Sequence, residues 1–291
     1  MAPLPIHNKS AAKIQAQPGG GALYIVATPI GNLGDITLRA LDILKSADRI
    51  ACEDTRVTRK LAQHYGLTAP LVAYHEHNEA RMSVQLVEAM QQGARIALVS
   101  DAGTPLLSDP GSRLVSAAIA ANIPVIPLPG ASALLAALTI AGLPALPFHF
   151  AGFLPPKTKA RRDIFNKLAT MQATLIFYES PNRLEDALTD ATATLGNRHA
   201  AVARELTKLH EECKRGTLDE LAQYYKEHPP KGECVLLIAG AGEAAPPSEE
   251  EIDAILRELL IDHGVKEAAA IAAARTGLGK SDLYARALVL K

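Results

Sequence analysis

Acids, histidines, hydroxyls and glycines gather in this chain directly behind short apolar runs, where side chains at the ends of strands can do chemistry. Pro29-Ile30-Gly31-Asn32-Leu33-Gly34-Asp35 closes the run 23–28, and Glu53-Asp54-Thr55-Arg56 follows 48–52. His75-Glu76-His77-Asn78-Glu79 follows 71–74. Ser100-Asp101-Ala102-Gly103-Thr104-Pro105, then Ser108-Asp109-Pro110-Gly111, follow 95–99, and Pro129-Gly130-Ala131-Ser132 follows 125–128. Carboxylates and imidazoles so placed can take a proton or hold a cation, and glycines let backbone approach a ligand closely. Any one loop has a plainer use, because Gly and Pro make turns and acids cap helices. The signal is their concentration on one rim.

Spacing excludes several chemistries. Glu53 and Asp54 lie about as far beyond Gly34 as the acid that takes a ribose hydroxyl in dinucleotide folds. The fingerprint's first Gly pair is missing, however, and Pro29 and Ile30 occupy its approach. No GK[ST] is present to bind a triphosphate, which leaves a nucleoside ligand without phosphates open. His75 and His77 alternate along an extended run with no third ligand at suitable spacing, so no metal is expected. Neither Ser100 nor Ser132 stands in a G-x-S-x-G elbow.

The elements that must position these groups alternate. Apolar runs at 23–28, 48–52, 71–74, 95–100 and 124–128 are separated by amphipathic segments such as 38–44 and 83–92, which predicts a parallel sheet covered on both faces. Gly142-Leu143-Pro144 and Leu146-Pro147 mark a boundary, and a second αβ unit follows. Its strands are expected at 174–178, 200–203 and 234–239, its helices at 161–170, 183–194 and 218–228. Residues 240–248 read as a linker. Beyond it, Ile252, Ile255, Leu256, Leu259 and Leu260 make one helical stripe, and 265–275, 276–279 and 280–290 read as helix, Gly turn, helix. The expected organisation is a disordered tail at 1–20, an N-terminal αβ domain at 21–143, a second αβ domain at 148–241 and a helix-turn-helix-like unit at 249–291.

Composition bounds the partners. The chain has 291 residues, 48% hydrophobic and 21% charged, with a net charge of −1. No global field draws it to a polyanion, so any such site must be a local patch. Cys52, Cys213 and Cys234 are scattered without C-x-x-C spacing, which fits a reducing cytosol. The first twenty residues lack the apolar core of a signal peptide. Residues 114–156 contain no Asp, Glu, Lys or Arg, but Asn122 and a series of Pro and Gly cut them into pieces too short to cross a bilayer. A buried strand and a core helix are expected there, in a soluble cytoplasmic protein.

The ordered segments TPIGNLGD, ACEDTR, HEHNE, VSDAGTPLLSDPG, PLPGASA, GFLPPK, FYESPNR, ARELTK and GECVLLIAG resemble the ribosomal RNA small subunit methyltransferase I family, from about Leu23 to the C-terminal helices. That family belongs to the tetrapyrrole-methylase-like S-adenosylmethionine (SAM) enzymes. The resemblance implies an α/β fold of two αβ domains, the first with a parallel and the second with a mixed sheet, plus a small C-terminal helical unit. It implies SAM in the cleft between the domains, 2′-O-methylation of a cytidine in the decoding region of 16S rRNA in the 30S subunit, and a homodimer. It places Ser100, Asp101, Ala102, Gly103 and Leu106 beside the SAM. Pro29 and Gly31 of the first loop join them, with Ser132 in the P-G-x-S segment. Tyr178, Ala203, Gly232 and Glu233 are placed on the adenosine side. Two departures stand out. Porphyrin-type members begin with G-x-G-x-G-D where this chain has TPIGNLGD, and their G-D-P is Gly103-Thr104-Pro105 here, with the acid displaced to Asp101.

Such a reaction needs a ribose hydroxyl aligned for in-line attack, chiefly by positioning, and a base to take its proton. Glu53 and Asp54, at a central strand end, are the first candidates, with His75, His77, Glu179 and Glu205 also in view. RNA must be held locally. Lys157, Lys159, Arg161, Arg162 and Lys167 behind GFLPP, and Arg56, Arg59 and Lys60 behind CED, are the candidate phosphate contacts. Solvated helix faces carry similar runs. The C-terminal pair, with Arg275 and Lys280 beside its turn, is open to RNA binding or to mere packing. A small-molecule methyltransferase of the porphyrin type and a non-catalytic RNA-binding factor are the competing readings.

Overall fold

The computed structural model describes residues 20–242 and 248–291. The expected tail, save Gly20, and residues 243–247 of the expected linker lie outside the described residues.

The first five apolar runs form β1 (Ala22–Val26), β2 (Arg49–Cys52), β3 (Leu71–Ala73), β4 (Arg95–Val99) and β5 (Val125–Leu128). All neighbours pair in parallel, in the order β3-β2-β4-β1-β5. Parallel pairing requires crossovers, supplied here by α1 (Leu38–Ser46), α2 (Thr55–Tyr65), α3 (Glu79–Gln91) and α4 (Ser112–Ala120). The two-residue alternation of β1 divides the core between the sheet's faces. Leu23 and Ile25 pack with Leu86 and Met90 of α3 and Leu114 of α4, while Ala22, Tyr24 and Val26 pack with Ala40 and Leu44 of α1.

The chain then forms α5 (Ala133–Ile140) and a second sheet. Its strands are β6 (Phe148–Phe153), β7 (Thr174–Glu179), β8 (His199–Arg204), β9 (Glu212–Thr217) and β10 (Cys234–Ile238), in the order β6-β7-β10-β8-β9. Only β6 and β7 run parallel, so the sheet is mixed. One face carries α6 (Thr158–Leu168), α7 (Leu184–Leu195) and α8 (Leu218–Glu227) over Leu175, Phe177, Val202 and Leu236. The other face (Ile176, Ala201, Ala203, Val235 and Leu237) is covered by Leu134, Ala137, Leu138 and Ala141, from α5 and its C-terminal end. Each Leu fully buried there contributes about 1.5–3 kcal/mol. Thus α5, which follows the first sheet in the chain, packs on the second, and the residues up to Gly240 make one compact unit.

The strands β6 and β9 have no counterpart in the sequence expectations. β9 reads ECKRGT, an edge strand whose charges discourage pairing with other chains and hide it from an apolar-run search. β6 reads FHFAGF and shifts register between Phe150 and Phe153, where Gly152 adopts φ +71°. The uncharged stretch 114–156 proves to be α4, β5, α5 and β6, and among the described residues no helix is long and apolar enough to cross a membrane.

Residues from Ala241 onward form a second unit. It contains α9 (Glu249–Asp262), α10 (Val265–Thr276) and α11 (Lys280–Leu290). Ser248 and Glu251 close a capping box on α9, and Gly277 ends α10 in the left-handed conformation that a residue with a Cβ adopts at a cost. Ile252, Leu256 and Leu259 pack on Ala268, Ala269, Ala272, Leu283 and Ala287.

Candidate active site

The loops behind β2 and β4 face the ends of β7 and β8 and the start of β10 across a cleft of about 440 Å³. Hydrogen bonds from side chain to backbone shape its first wall. Thr28 and Gly103 exchange backbone hydrogen bonds of 2.8 and 2.9 Å, which brings the β1 and β4 loops together. The Thr28 hydroxyl donates to the Ser100 carbonyl at 3.2 Å, and the Ser100 hydroxyl to the carbonyls of Ala102 and Gly103 at 3.1 and 3.2 Å. Gly103 sits at φ +77°, so the turn favours glycine. The Thr104 hydroxyl donates to the Ala131 carbonyl at 3.1 Å and anchors the loop to the segment before α5.

The lining is acidic and apolar. Glu53, Asp101, Asp109, Glu205 and Glu233 supply carboxylates, while Ile30, Leu107, Phe153, Tyr178, Ala203 and Val235 supply apolar surface. Arg204 and Lys208 also line it, and each is already paired, with Glu212 at 2.5 Å and Glu205 at 2.9 Å. Burial raises the Asp101 carboxyl and lifts the Tyr178 hydroxyl. Asp109 rises to about 6 through burial, reinforced by the charges of Glu53, Asp101 and Glu233. Such a cleft repels a phosphate and attracts a cation.

The structure separates the candidate bases. Glu53 lines the cleft, and burial raises its carboxyl. Asp54 turns away: it caps α2 by accepting the Arg56 N–H at 2.8 Å and is forked by the Arg56 guanidinium, whose hydrogen bonds hold its carboxyl down to about 2. Asp54 is therefore a cap, and only its N–H, which donates to Asp101 Oδ1 at 3.1 Å, serves the cleft wall. Glu179 is fully buried and accepts from the Ser180 N–H at 2.6 Å and Arg183 Nε at 2.8 Å, which corrects its candidacy. His75 and His77 stack edge to face at 6.0 Å outside the lining, the His75 charge acting on Glu53. Glu205 lines the cleft but is committed to Lys208.

Among the residues implied to touch SAM, Asp101, Ala102, Gly103, Tyr178, Ala203 and Glu233 line the cleft, whereas Pro29, Gly31, Ser100, Leu106, Ser132 and Gly232 do not. Their jobs are one step back. Ser100 is buried and braces the loop, and Ser132 caps α5. Gly232, at φ +77°, leaves room for Glu205, whose Oε1 would lie 2.2 Å from an added Cβ. Gly31 meets the 206–208 segment, with an added Cβ 2.8 Å from the Leu206 carbonyl.

The basic run divides too. Arg161 is a correction: only 2% exposed, it forms a buried ion pair with Asp190 at 2.5 Å and cannot meet RNA. Arg162 shares Asp190 at 2.7 Å from an exposed position, while Lys157 and Lys159 stand exposed at the start of α6. Arg56, Arg59 and Lys60 are exposed on α2, Arg56 with its charge spent on Asp54.

Residues 22–222 match the family model of tetrapyrrole (corrin/porphyrin) methylases, and residues 246–291 match the RsmI C-terminal HTH domain. Over 282 residues the chain is 46% identical to ribosomal RNA small subunit methyltransferase I of Halalkalibacterium halodurans, covering 95% of this chain and 98% of that one. The chain belongs to the ribosomal RNA small subunit methyltransferase I family. Relatives of the same name share 52% identity in Erythrobacter litoralis (95% of this chain, 98% of that one) and 48% in Escherichia coli O157:H7 (92% and 95%). The fold is shared more widely. The methyltransferase CobJ superposes with a TM-score of 0.59 at 20% identity, covering 78% of this chain and 98% of that one. Uroporphyrin-III-C-methyltransferase from Thermus thermophilus gives 0.53 at 21%, covering 76% and 94%.

Several further residues of this family member line the cleft, among them Ile30, Leu107, Asp109 and Phe153. Asp109 stood in a noted strand-end cluster and could have been found there. Ile30, Leu107 and Phe153 carry no signal that distinguishes a cleft wall from a core.

Proposed function

We propose that this chain methylates the ribose 2′-hydroxyl of a cytidine in the decoding region of small-subunit rRNA, with SAM as donor. The observation that carries the reading is a cleft lined by carboxylates and apolar side chains, at the strand ends of a chain that belongs to an rRNA methyltransferase family. The donor set fits SAM: acids suit its sulfonium and ammonium, Phe153, Tyr178 and Val235 suit its adenine, and it has no phosphate for the acids to repel. Asp101, Glu233 and the backbone of Ala102 and Gly103 would hold it. When bound, SAM supplies an activated methyl group, because its sulfur leaves as a neutral thioether.

The protein's contribution is position and charge. The 100–104 loop, pinned by Ser100, Thr28 and Thr104, is rigid before ligand arrives, so little ordering remains to oppose the aligned state. The unpaired cleft acids are available to take the hydroxyl proton. The homodimer and the cytosolic site of action belong to the same proposal, the latter supported by three free cysteines.

The test supplies unmodified 30S subunits and methyl-labelled SAM. Label is expected in the small-subunit rRNA, with one bond newly resistant to alkaline hydrolysis, because methylation blocks the attacking 2′-hydroxyl. Label on a base, or transfer to a porphyrinogen instead, would refute the assignment.

The exposed lysines at the start of α6 are the proposed phosphate contacts. Replacing Lys157 and Lys159 with alanine is expected to lower the salt slope of 30S binding by about one unit per lost contact. SAM affinity is expected to stay unchanged. An unaltered slope would assign both lysines to a solvated helix face.

A further inference from the structure

The turn between β8 and β9, residues 205–211, is braced from several sides at the edge of the cleft. Glu205, Leu206 and Lys208 line the cleft. Glu205 and Thr207 both adopt left-handed φ, at +50° and +66°, a costly backbone for non-glycine residues that persists where the surroundings impose it. Leu206 is buried in the cluster formed by α5 and the second sheet, and Gly31 of the first loop closes against 206–208. The Lys208 N–H donates to the Glu205 carbonyl at 3.0 Å, the Glu211 N–H to the Lys208 carbonyl at 3.2 Å, and the Thr207 N–H to the Glu211 carboxylate at 2.7 Å. This bracing carries a bare tip. Leu209, one residue beyond the cleft-lining Lys208, is 92% exposed, more than any other large apolar side chain among the described residues. Single exposed apolar residues are ordinary, but this one is held at the mouth of a site by a strained support.

An RNA substrate has a physical reason to meet this tip. The cleft, about 440 Å³, is on the scale of one small ligand, and its carboxylates repel a phosphate backbone. A stacked RNA strand cannot enter it. The target nucleotide must therefore swing out of its stack to bring the 2′-hydroxyl to the donor, and a gap opens between the bases on either side. Apolar side chains are the groups that wedge into such unstacked steps. Resting on the reaction proposed above, we infer that Leu209 is the wedge that fills the gap left by the extruded cytidine. It is a positioning residue, because it touches the neighbouring bases and acts on the reacting atoms only through them. The rigid turn beneath it fixes the distance between the wedge and the cleft, so the base that is replaced and the ribose that is presented belong to the same nucleotide.

The experiment measures single-turnover methyl transfer at saturating 30S subunits for the full chain and for L209A, L209M and L209D. SAM affinity by calorimetry, the salt slope of 30S binding, melting temperature and sedimentation are followed alongside. L209A is expected to lose about tenfold in rate, the factor for one lost stacking contact, with SAM affinity, salt slope and melting temperature unchanged. L209M should recover most of the rate, because an apolar group of similar size fills the same gap. L209D should fall below L209A, because its carboxylate would stand among bases and phosphates. An L209A rate within about twofold of wild type overturns the inference, as does an L209M rate no better than that of L209A. A loss of SAM affinity in step with rate, or a lowered melting temperature in L209A, would make the side chain part of the fold and overturn it equally. A change in the sedimentation of L209D would assign Leu209 to a contact between copies of the chain, which also overturns it. A wild-type chain that puts no methyl into small-subunit rRNA overturns the reaction itself, and is thereby distinguished from failure of the wedge alone.

Discussion

Asp190→Ala is expected to destabilise the chain by about 3–5 kcal/mol, although Asp190 lies outside the cleft. Its carboxylate is 4% exposed and answers two guanidinium groups, Arg161 at 2.5 Å and Arg162 at 2.7 Å. Removing it leaves the Arg161 charge, 2% exposed, inside the α6–α7 packing with nothing to neutralise it. One terminal nitrogen, Arg161 Nη1, already lacks a partner, so the pair has no reserve. Arg162→Ala should cost only about 0–1 kcal/mol, because Arg162 is 48% exposed and water replaces the lost bond. The paired change Arg161→Met with Asp190→Leu should regain most of the loss, since two apolar groups of similar volume need no compensation. Urea unfolding of the four proteins measures the order. A midpoint for Asp190→Ala equal to that of Arg162→Ala would show that the buried pair contributes no more than an exposed one.

Gly31→Ala is expected to reduce catalytic efficiency by about 100-fold. A methyl group at Gly31 would lie 2.6 Å from Lys208 Cγ, 2.8 Å from the Leu206 carbonyl and 2.9 Å from the Thr207 hydroxyl. The Lys208 stem can bend aside, but the Leu206 carbonyl belongs to the backbone behind β8 and must move as a piece. That movement opens the cleft between its two walls and shifts Lys208 from Glu205, which lines it. A displacement of about 1 Å in a site that works by alignment costs about 100-fold. The stability cost should be smaller, about 1–3 kcal/mol, as for other overpacked contacts. Gly34→Ala is the control from the same loop, because its added methyl would meet only Asn32 Oδ1, at 3.2 Å. Single-turnover rates and SAM titrations of both variants decide the matter: equal behaviour would mean that the contact between the loops does not set the cleft.

What the sequence disclosed, and what it hid, follows from how each element announces itself. The central strands β2, β4 and β1 of the first sheet are buried on both faces, and all five strands are short apolar runs ending in polar loops that meet on one rim. β9 is a charged edge strand, and pairing across the sheet leaves no mark on its own residues. The site was legible as a set of loops but not as a set of roles. Asp54 and Glu53 are adjacent and both acidic, yet one caps a helix and the other faces the cleft, a difference of side-chain direction that residue type does not encode. Arg161 and Arg162 divide in the same way: helical periodicity puts the first on the buried face of α6 and the second on its rim. Periodicity alone could have made that division, because Phe165 and Leu168 share the buried face with Arg161.

The packing of α5 onto a sheet that is synthesised after it has a consequence for synthesis. The helix leaves the ribosome with Leu134 and Leu138 ready to be covered, but the strands that cover them end with β10, at Ile238. Roughly one hundred residues must still be added, which takes about 5–20 s at ordinary elongation rates. For that interval the nascent first half carries an uncovered greasy stripe beside a finished parallel sheet. A chain stalled or cut anywhere within that stretch strands the stripe for good, so fragments ending between α5 and β10 should be the ones that aggregate, and a dissected N-terminal half cannot serve as a small soluble donor-binding module.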